Sequence, residues 1–416
     1  MNRKKRILVI SQHFWPESFR ITDICEGLTD EGYIVDVLCG IPNYPNGHFF
    51  KGYGFFKNMK QKYKGINIIR VPEIPRGNNT NLRIFINYLS FPIFSLFYIP
   101  FLLGRKYDRI MVYQLSPVFM SISGIIISKL TRTKLFIYIC DFWPHSLLSV
   151  IKFKNENLIS ALRLVSYWHY KRADGLIAVF KGIQEKLINE VGIDKKKVVY
   201  IPQAAEKIYE SKVVDKKLSD RFKSTFNIVF AGSINPAQSF ETIIKAAKKV
   251  IEDGYNVHFI IIGEGMSKNW VTKEVQNQLI SEYFSFEGFK PVEDIPKYQT
   301  LADALIVALT ESPLFEYGIP AKIQSYMASG KPIVGAMNGV GKQLINNVGC
   351  GICVDSGDFM GLAKSIESLM NLPKKQLKEM GAQGRKYHFK HYERNYNLNR
   401  LIQFIFNDVL IPDEED

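Results

Sequence analysis

A chain of 416 residues, 46% apolar and 23% charged, is long enough for two domains with full cores and too apolar to be disordered. Its 54 basic and 40 acidic residues leave a net charge of +14, which favours anionic partners. The basic residues are scattered and carry no nucleic-acid-binding signature, so nucleic acid is not an expected partner.

The start, Arg3 to Arg6, has the charge of a signal-peptide n-region. The apolar run Ile7–Ile10 is too short to continue one and leads into Ser11–Pro16, so a first strand is expected over Arg6–Ser11. Further apolar, β-branched runs predict strands at Ile34–Cys39, Ile66–Val71, Arg109–Val112, Lys134–Cys140, Gly175–Phe180 and Val198–Pro202. Ile84–Leu103 is almost wholly apolar and about as long as a bilayer-spanning helix. It contains Pro92 and Pro100 and is flanked by Arg83, Arg105 and Lys106. Strand–helix units continue on both sides, so a buried or membrane-surface helix hairpin is expected rather than a span.

Polar residues dominate Ala204–Phe226, where the linker is expected. Strands then recur at Asn227–Gly232, His258–Gly263, Ser285–Glu287, Ala304–Leu309, Lys331–Gly335 and Gly351–Val354. Continuous apolar strands alternating with helices predict parallel sheets covered on both faces, so both halves read as doubly wound α/β domains, 1–204 and 205–386. Ligands bind such sheets at the carboxyl ends of the strands. Cys350 and Cys353 have no second pair and lie in an apolar run, which indicates core packing rather than zinc or redox chemistry. An odd cysteine count suggests a reducing cytoplasm. The acidic end, Asp413–Asp416, is expected to fray.

Several chemistries are disfavoured. No GxGxxG follows the first strand, and no GxxxxGK[ST], GxSxG or metal-ligand cluster occurs. The loops of the second half carry phosphate and ribose character instead. Gly232, Ser233 and Gln238 lie between a strand and a helix, a geometry that suits phosphate. Gly263, Glu264 and Gly265 end another strand and allow close backbone approach. Pro320 suits the first turn of a helix that begins with Ala321 and Lys322, and Gly330 suits its C-cap. Free N–H groups and Lys322 would meet a diphosphate there.

The order Ala231–Ser233, Gly263–Gly265, Gly288 and Ile319–Pro332 resembles the nucleotide-sugar domain of family 4 retaining glycosyltransferases. In the first half, Ser11–Glu17, Gly40–Gly47, Leu115–Pro117 and Cys140–His145 look like the subgroup that builds bacterial surface polysaccharides. Pro320–Met327 most resembles the N-acetyl-fucosaminyl transferases. The resemblance implies a GT-B fold of two Rossmann-like domains facing across a cleft. It also implies C-terminal helices, here about 387–410, that cross back to the first domain. It further implies a UDP-sugar donor, no metal and no other cofactor, and a polyprenyl-diphosphate-linked saccharide as acceptor. A cytoplasmic protein held peripherally at the inner face of the plasma membrane follows.

The family's usual glutamate pair is absent: Ser325 stands at the second position, and the first falls at Tyr317, beside Glu316. The resemblance makes Asp141 and Glu316 the candidate catalytic residues. Gly232, Ser233, Gln238, Gly263, Glu264, Gly265, Pro320, Ala321, Lys322 and Ser325 are the donor candidates. His13, Glu17, Arg20, Asn43, Tyr44 and His145 are the acceptor candidates. Retention without a protein nucleophile suits front-face attack, with the protein positioning groups and stabilising charge. A helix N-cap is the plain alternative for Asp141, and core packing suits Trp15 and Phe19. A nucleotide-sugar 2-epimerase and a non-catalytic subunit of a polysaccharide assembly complex remain the competing functions.

Overall fold

The computed structural model describes residues 3–45, 47–78, 80–150, 155–312, 316, 318–407 and 409. Tyr317 and the acidic end therefore lie outside the described residues. Contacts divide the chain into two units: residues up to Gln203 together with those from Asn395 on, and Ala204–Arg394.

In the first unit the elements run β1 (Arg6–Ile10), α1 (Ile21–Asp30), β2 (Ile34–Cys39), β3 (Lys60–Tyr63), β4 (Ile66–Arg70), α2 (Asn81–Leu96) and α3 (Ile99–Leu103). There follow β5 (Arg109–Gln114), α4 (Ile122–Thr131), β6 (Leu135–Ile139), α5 (His145–Val150), α6 (Glu156–Lys171), β7 (Gly175–Ala178), α7 (Lys181–Asn189) and β8 (Val198–Tyr200). The sheet order is β3-β4-β2-β1-β5-β6-β7-β8, and every pairing but β3 with β4 is parallel. The expected strands of this half are all present. β3 was not expected, because its sequence, Lys-Gln-Lys-Tyr, carries no apolar signal and it needs none at a sheet edge. Among the described residues four bonds are cis, Trp15–Pro16, Tyr44–Pro45, Ser116–Pro117 and Trp143–Pro144, each in a loop that follows a parallel strand.

The second unit runs α8 (Lys216–Arg221), β9 (Phe226–Ala231), α9 (Phe240–Glu252), β10 (Val257–Ile262), α10 (Lys268–Asn277), β11 (Phe284–Gly288), α11 (Ile295–Leu301) and β12 (Ala304–Ala308). It closes with α12 (Ala321–Ser329), β13 (Ile333–Ala336), α13 (Gly339–Val348), β14 (Gly351–Val354), α14 (Phe359–Asn371) and α15 (Lys374–His391). Its sheet is all parallel, in the order β11-β10-β9-β12-β13-β14. Cys350 and Cys353 are buried free thiols, both pushed up to about 12 by burial. The expected linker is not bare coil: it holds α8 and a 3-10 turn, Lys207–Glu210.

The chain returns to the first unit in α16 (Arg394–Asn407). The expected helix from 387 therefore begins later, since Tyr387–His391 complete α15 of the second unit. Leu398, Leu401, Phe404 and Ile405 of α16 are buried in the first unit's core. Phe404 meets Phe136 of β6 edge to face at 5.6 Å, and Arg109 of β5 donates to the Ile405 carbonyl at 2.6 Å. Phe404→Ala is expected to destabilise the first unit by about 3–5 kcal/mol in urea unfolding. An unchanged midpoint would mean that α16 is not part of that core.

Candidate functional site

In the second unit the strand order reverses between β9 and β12, and the loops leaving these two strands part at their carboxyl ends. Lys322, in the first turn of α12, bridges them. Its ammonium donates to Oε1 of Gln238 at 2.5 Å and sits 3.7 Å above the Phe230 ring. A side chain at Gly232 would reach within 3.2 Å of the same nitrogen. Gly232, Gln238 and Lys322 are thus brought together from positions far apart in sequence. Desolvation lowers the lysine from its ordinary 10.5 to about 7, and no opposing charge among the described residues offsets it.

α12 carries this lysine as the sequence anticipates, with one shift. Pro320 is the N-cap residue, extended at ψ 131°, and the helix starts at Ala321. Gly330 closes it in the left-handed conformation at φ 70°, with its N–H bonded to Met327 O. Ser325 is buried, and its hydroxyl reaches back to Ala321 O at 3.5 Å. Tyr326 lies next to it and receives the Ala231 N–H at 3.1 Å, which ties α12 to the end of β9. Sequence reasoning had no role for Tyr326.

The glycine loops have an internal reason for lacking side chains. A Cβ on Gly263 (φ 138°) would stand 1.9 Å from Gly232 O, and one on Gly265 (φ 157°) would stand 2.3 Å from Ile234 O. The close approach is between the two loops themselves, sealed by the Ile234 N–H to Glu264 O bond at 2.9 Å. Glu264 pairs with Lys268 at 2.5 Å, and Ser233 accepts from Asn235 at 3.4 Å. Glu316 is exposed.

The first unit holds two polar clusters at the carboxyl ends of its strands. In one, the Ser116 hydroxyl donates to Asp141 Oδ2 at 2.9 Å and accepts from Trp143 Nε1 at 2.9 Å. Burial raises the Asp141 carboxyl above its ordinary value, and the Ser116 bond opposes that rise. The carboxylate caps no helix here. His145 turns elsewhere: its Nε2 faces Glu190 at 3.2 Å, and its ring stacks on Phe142 at 4.9 Å. Desolvation lowers its pKa.

The second cluster is buried more deeply than a cleft border would be. His13, Glu17 and Asn43 are 3%, 4% and 0% exposed. His13 Nδ1 meets Glu17 Oε2 at 2.8 Å, and Glu17 Oε1 accepts the N–H groups of Asn43 and Tyr44, each at 2.7 Å. Three residues missing from the sequence reading complete it. Arg76 meets His13 Nε2 at 3.2 Å; Asn87 accepts from Arg76 Nε at 3.2 Å; buried Glu73 accepts from Gln12 at 2.8 Å and from Asn87. Desolvation raises Glu73 to about 7. The available signal was Pro72-Glu73-Ile74-Pro75-Arg76, charges between prolines directly after β4. Arg20 lies apart from this cluster and donates to Gln203 O at 3.3 Å.

Among the described residues no group of three or more His, Cys, Asp or Glu side chains is arranged to hold a metal.

Residues 214–387, within the second unit, match the family model "Glycosyl transferases group 1". The chain is similar to 2-deoxystreptamine glucosyltransferase of Streptomyces kanamyceticus, 22% identical over 52% of this chain and 57% of that protein. It is also similar to amylovoran biosynthesis glycosyltransferase AmsK of Erwinia amylovora, 26% identical over 35% of this chain and 36% of that protein. The chain thus matches little more than half the length of the first relative and about a third of the second. The structure of Anabaena Alr3699/HepE in complex with UDP superimposes with a TM-score of 0.70 at 17% identity, covering 96% of this chain and 99% of that one. The fold is GT-B.

A partly buried ammonium with no ion-pair partner among the described residues is a liability to the folded state. Lys322→Met is expected to raise the melting temperature at pH 6–7. Because the folded-state pKa is depressed, the wild type bears the full penalty below about 7 and sheds it as the pH rises from about 7 towards 10.5. The difference between the two proteins should therefore shrink along that range in thermal melts. A Lys322→Met protein less stable than wild type at pH 6 would contradict this.

Proposed function

We propose that the chain is a retaining glycosyltransferase that moves a sugar from a UDP-sugar to a polyprenyl-diphosphate-linked saccharide, in the synthesis of a bacterial capsule or O-antigen. The observation that carries the reading is the partly buried Lys322 ammonium on the Phe230 ring, with no ion-pair partner among the described residues, at the N-terminus of α12, where a diphosphate would supply the missing charge. The family match over 214–387 and the UDP named in the HepE structure support the donor. The amylovoran relative supports a polysaccharide product. On the resemblance of Pro320–Met327 alone, the sugar is N-acetyl-L-fucosamine.

In this reading Lys322, Gln238 and the N–H groups of α12 hold the diphosphate, and Ser325 stands on the ribose side in place of a carboxylate. Asp141, with its carboxyl raised by burial and steadied by Ser116, orients the acceptor hydroxyl or takes its proton. Glu316 is the second catalytic candidate. The diphosphate charge is met by protein groups, so no metal is needed. Incubation with UDP-sugars and a polyprenyl-diphosphate-linked sugar should give a longer lipid-linked product that survives EDTA. Loss of transfer in EDTA and its return with magnesium would overturn the metal-free account, and no product with any UDP-sugar would overturn the whole.

The proposed acceptor brings the first unit to the inner leaflet. Among the described residues no helix is long and apolar enough to cross a membrane. α2 and the turn after it nevertheless expose Leu82, Phe85, Ile93 and Phe97, at 68%, 58%, 53% and 74%. With partly buried Leu89 these positions step by three or four residues and share one helical face. The opposite side is core: Phe91, Asn87 and Ser95 are fully buried, and Phe94 packs on the core. Arg105 pairs with buried Asp36 at 2.8 Å, and exposed Arg83 in the first turn of α2 is a cation available to an anionic surface. Serine at Phe85, Ile93 and Phe97 together should abolish flotation with anionic liposomes while leaving the circular dichroism unchanged. Retained flotation, or a wild type that never floats, would rule this face out.

A further inference from the structure

We infer that Arg76 is an anion-binding residue of the first unit, built to take the diphosphate of a lipid-linked ligand. The inference rests on the acceptor proposed above and assigns that acceptor's charged group a place.

Arg76 is 9% exposed, and no carboxylate lies within ion-pair distance of it among the described residues. A guanidinium cannot shed its proton, so burial leaves it a full charge that only acceptors or anions can meet. Its direct partners are neutral: Asn87 Oδ1 on Nε at 3.2 Å and His13 Nε2 on Nη2 at 3.2 Å. The guanidinium carbon also lies over two aromatic rings, 5.0 Å from that of Tyr44 and 5.1 Å from that of Tyr88.

The surrounding network aims these partners. Arg76 has only donors, so the His13 nitrogen facing it accepts, and the other ring nitrogen donates to Glu17. Glu73 takes the amide N–H of Asn87, which leaves the Asn87 oxygen towards Arg76. Two buried carboxylates thus stand one residue behind the arginine. They fix its neighbours without neutralising it by contact. Nε and Nη2 are committed to Asn87 and His13, and the Tyr88 hydroxyl is a further, neutral hydrogen-bond partner; the remaining N–H groups of the fork would meet a ligand oxygen. Tyr88 also belongs to the electrostatic surroundings of Asp141, which brings the arginine's ring cover near the candidate catalytic carboxylate. A planar donor fork suits the oxygens of a phosphate or diphosphate.

The test uses the full chain with Lys322→Met as a common background, so that pyrophosphate does not report on the second unit. Inorganic pyrophosphate, a short-chain prenyl diphosphate and the matching uncharged prenol are compared by calorimetry. Prenyl diphosphate should bind, pyrophosphate should bind more weakly, and the prenol should show no Arg76-dependent binding. Adding Arg76→Gln should weaken prenyl diphosphate at least about tenfold, as loss of a charge-assisted contact does. Arg76→Lys, which keeps the charge and loses the fork, should weaken it by less than Gln does. Diphosphate binding unchanged in both variants, or prenol bound as tightly as the diphosphate, overturns the inference. Equal affinity for pyrophosphate and prenyl diphosphate would assign the site to a free phosphate ligand and overturn the lipid assignment. Arg76-dependent binding without sugar transfer would instead contradict the proposed reaction and leave this site standing.

Discussion

The Lys322 ammonium, packed between the Phe230 ring and the Gln238 amide with no opposing charge among the described residues, is the constraint around which the second unit's loops are arranged. It stands where the strand order reverses, in the first turn of α12. Everything nearby serves closeness. The β9 and β10 loops touch backbone to backbone through Gly263 and Gly265, and Tyr326 binds α12 to the end of β9. In the proposed reading, such an arrangement gives up stability in the empty protein and recovers it when an anion arrives.

The first unit follows the same principle with more parts. His13, Glu17, Asn43, Glu73, Arg76 and Asn87 form one buried hydrogen-bonded group at the ends of the strands. Its residues support one another more than they face outward, which moves His13, Glu17 and Asn43 from the surface of a site to its foundation. Asp141, held by Ser116, stands in a separate cluster. The two clusters grow from loops after β1, β2, β4, β5 and β6, so a single sheet edge carries them all.

The strands, the two-unit division and the α12 stretch with its Gly330 cap were legible because each rests on a local signal: an apolar run, a polar gap, a left-handed glycine. β3 was not, since an edge strand needs no apolar face. The late start of α16 was hidden because a helix on either side of Tyr392 reads as one. Partnerships across the chain were also hidden. Gln238 and Lys322 are separated by 84 residues, and Asn87 sits inside an apolar run that reads as membrane-facing. That run proved to be two-sided: one face supplies the polar cluster and core, and the other is exposed. The same limit applies to His145, whose engagement with Glu190 no spacing announces.

In the proposed reading Lys322 is held poised for an anion. Its side-chain titration, followed by NMR of carbon-labelled lysine in wild type and Lys322→Met, tests this directly. The account predicts a midpoint near the value of about 7 without ligand and a rise above about 9 when UDP is bound. A midpoint near the ordinary 10.5 in the empty protein, or one that UDP does not move, would contradict it.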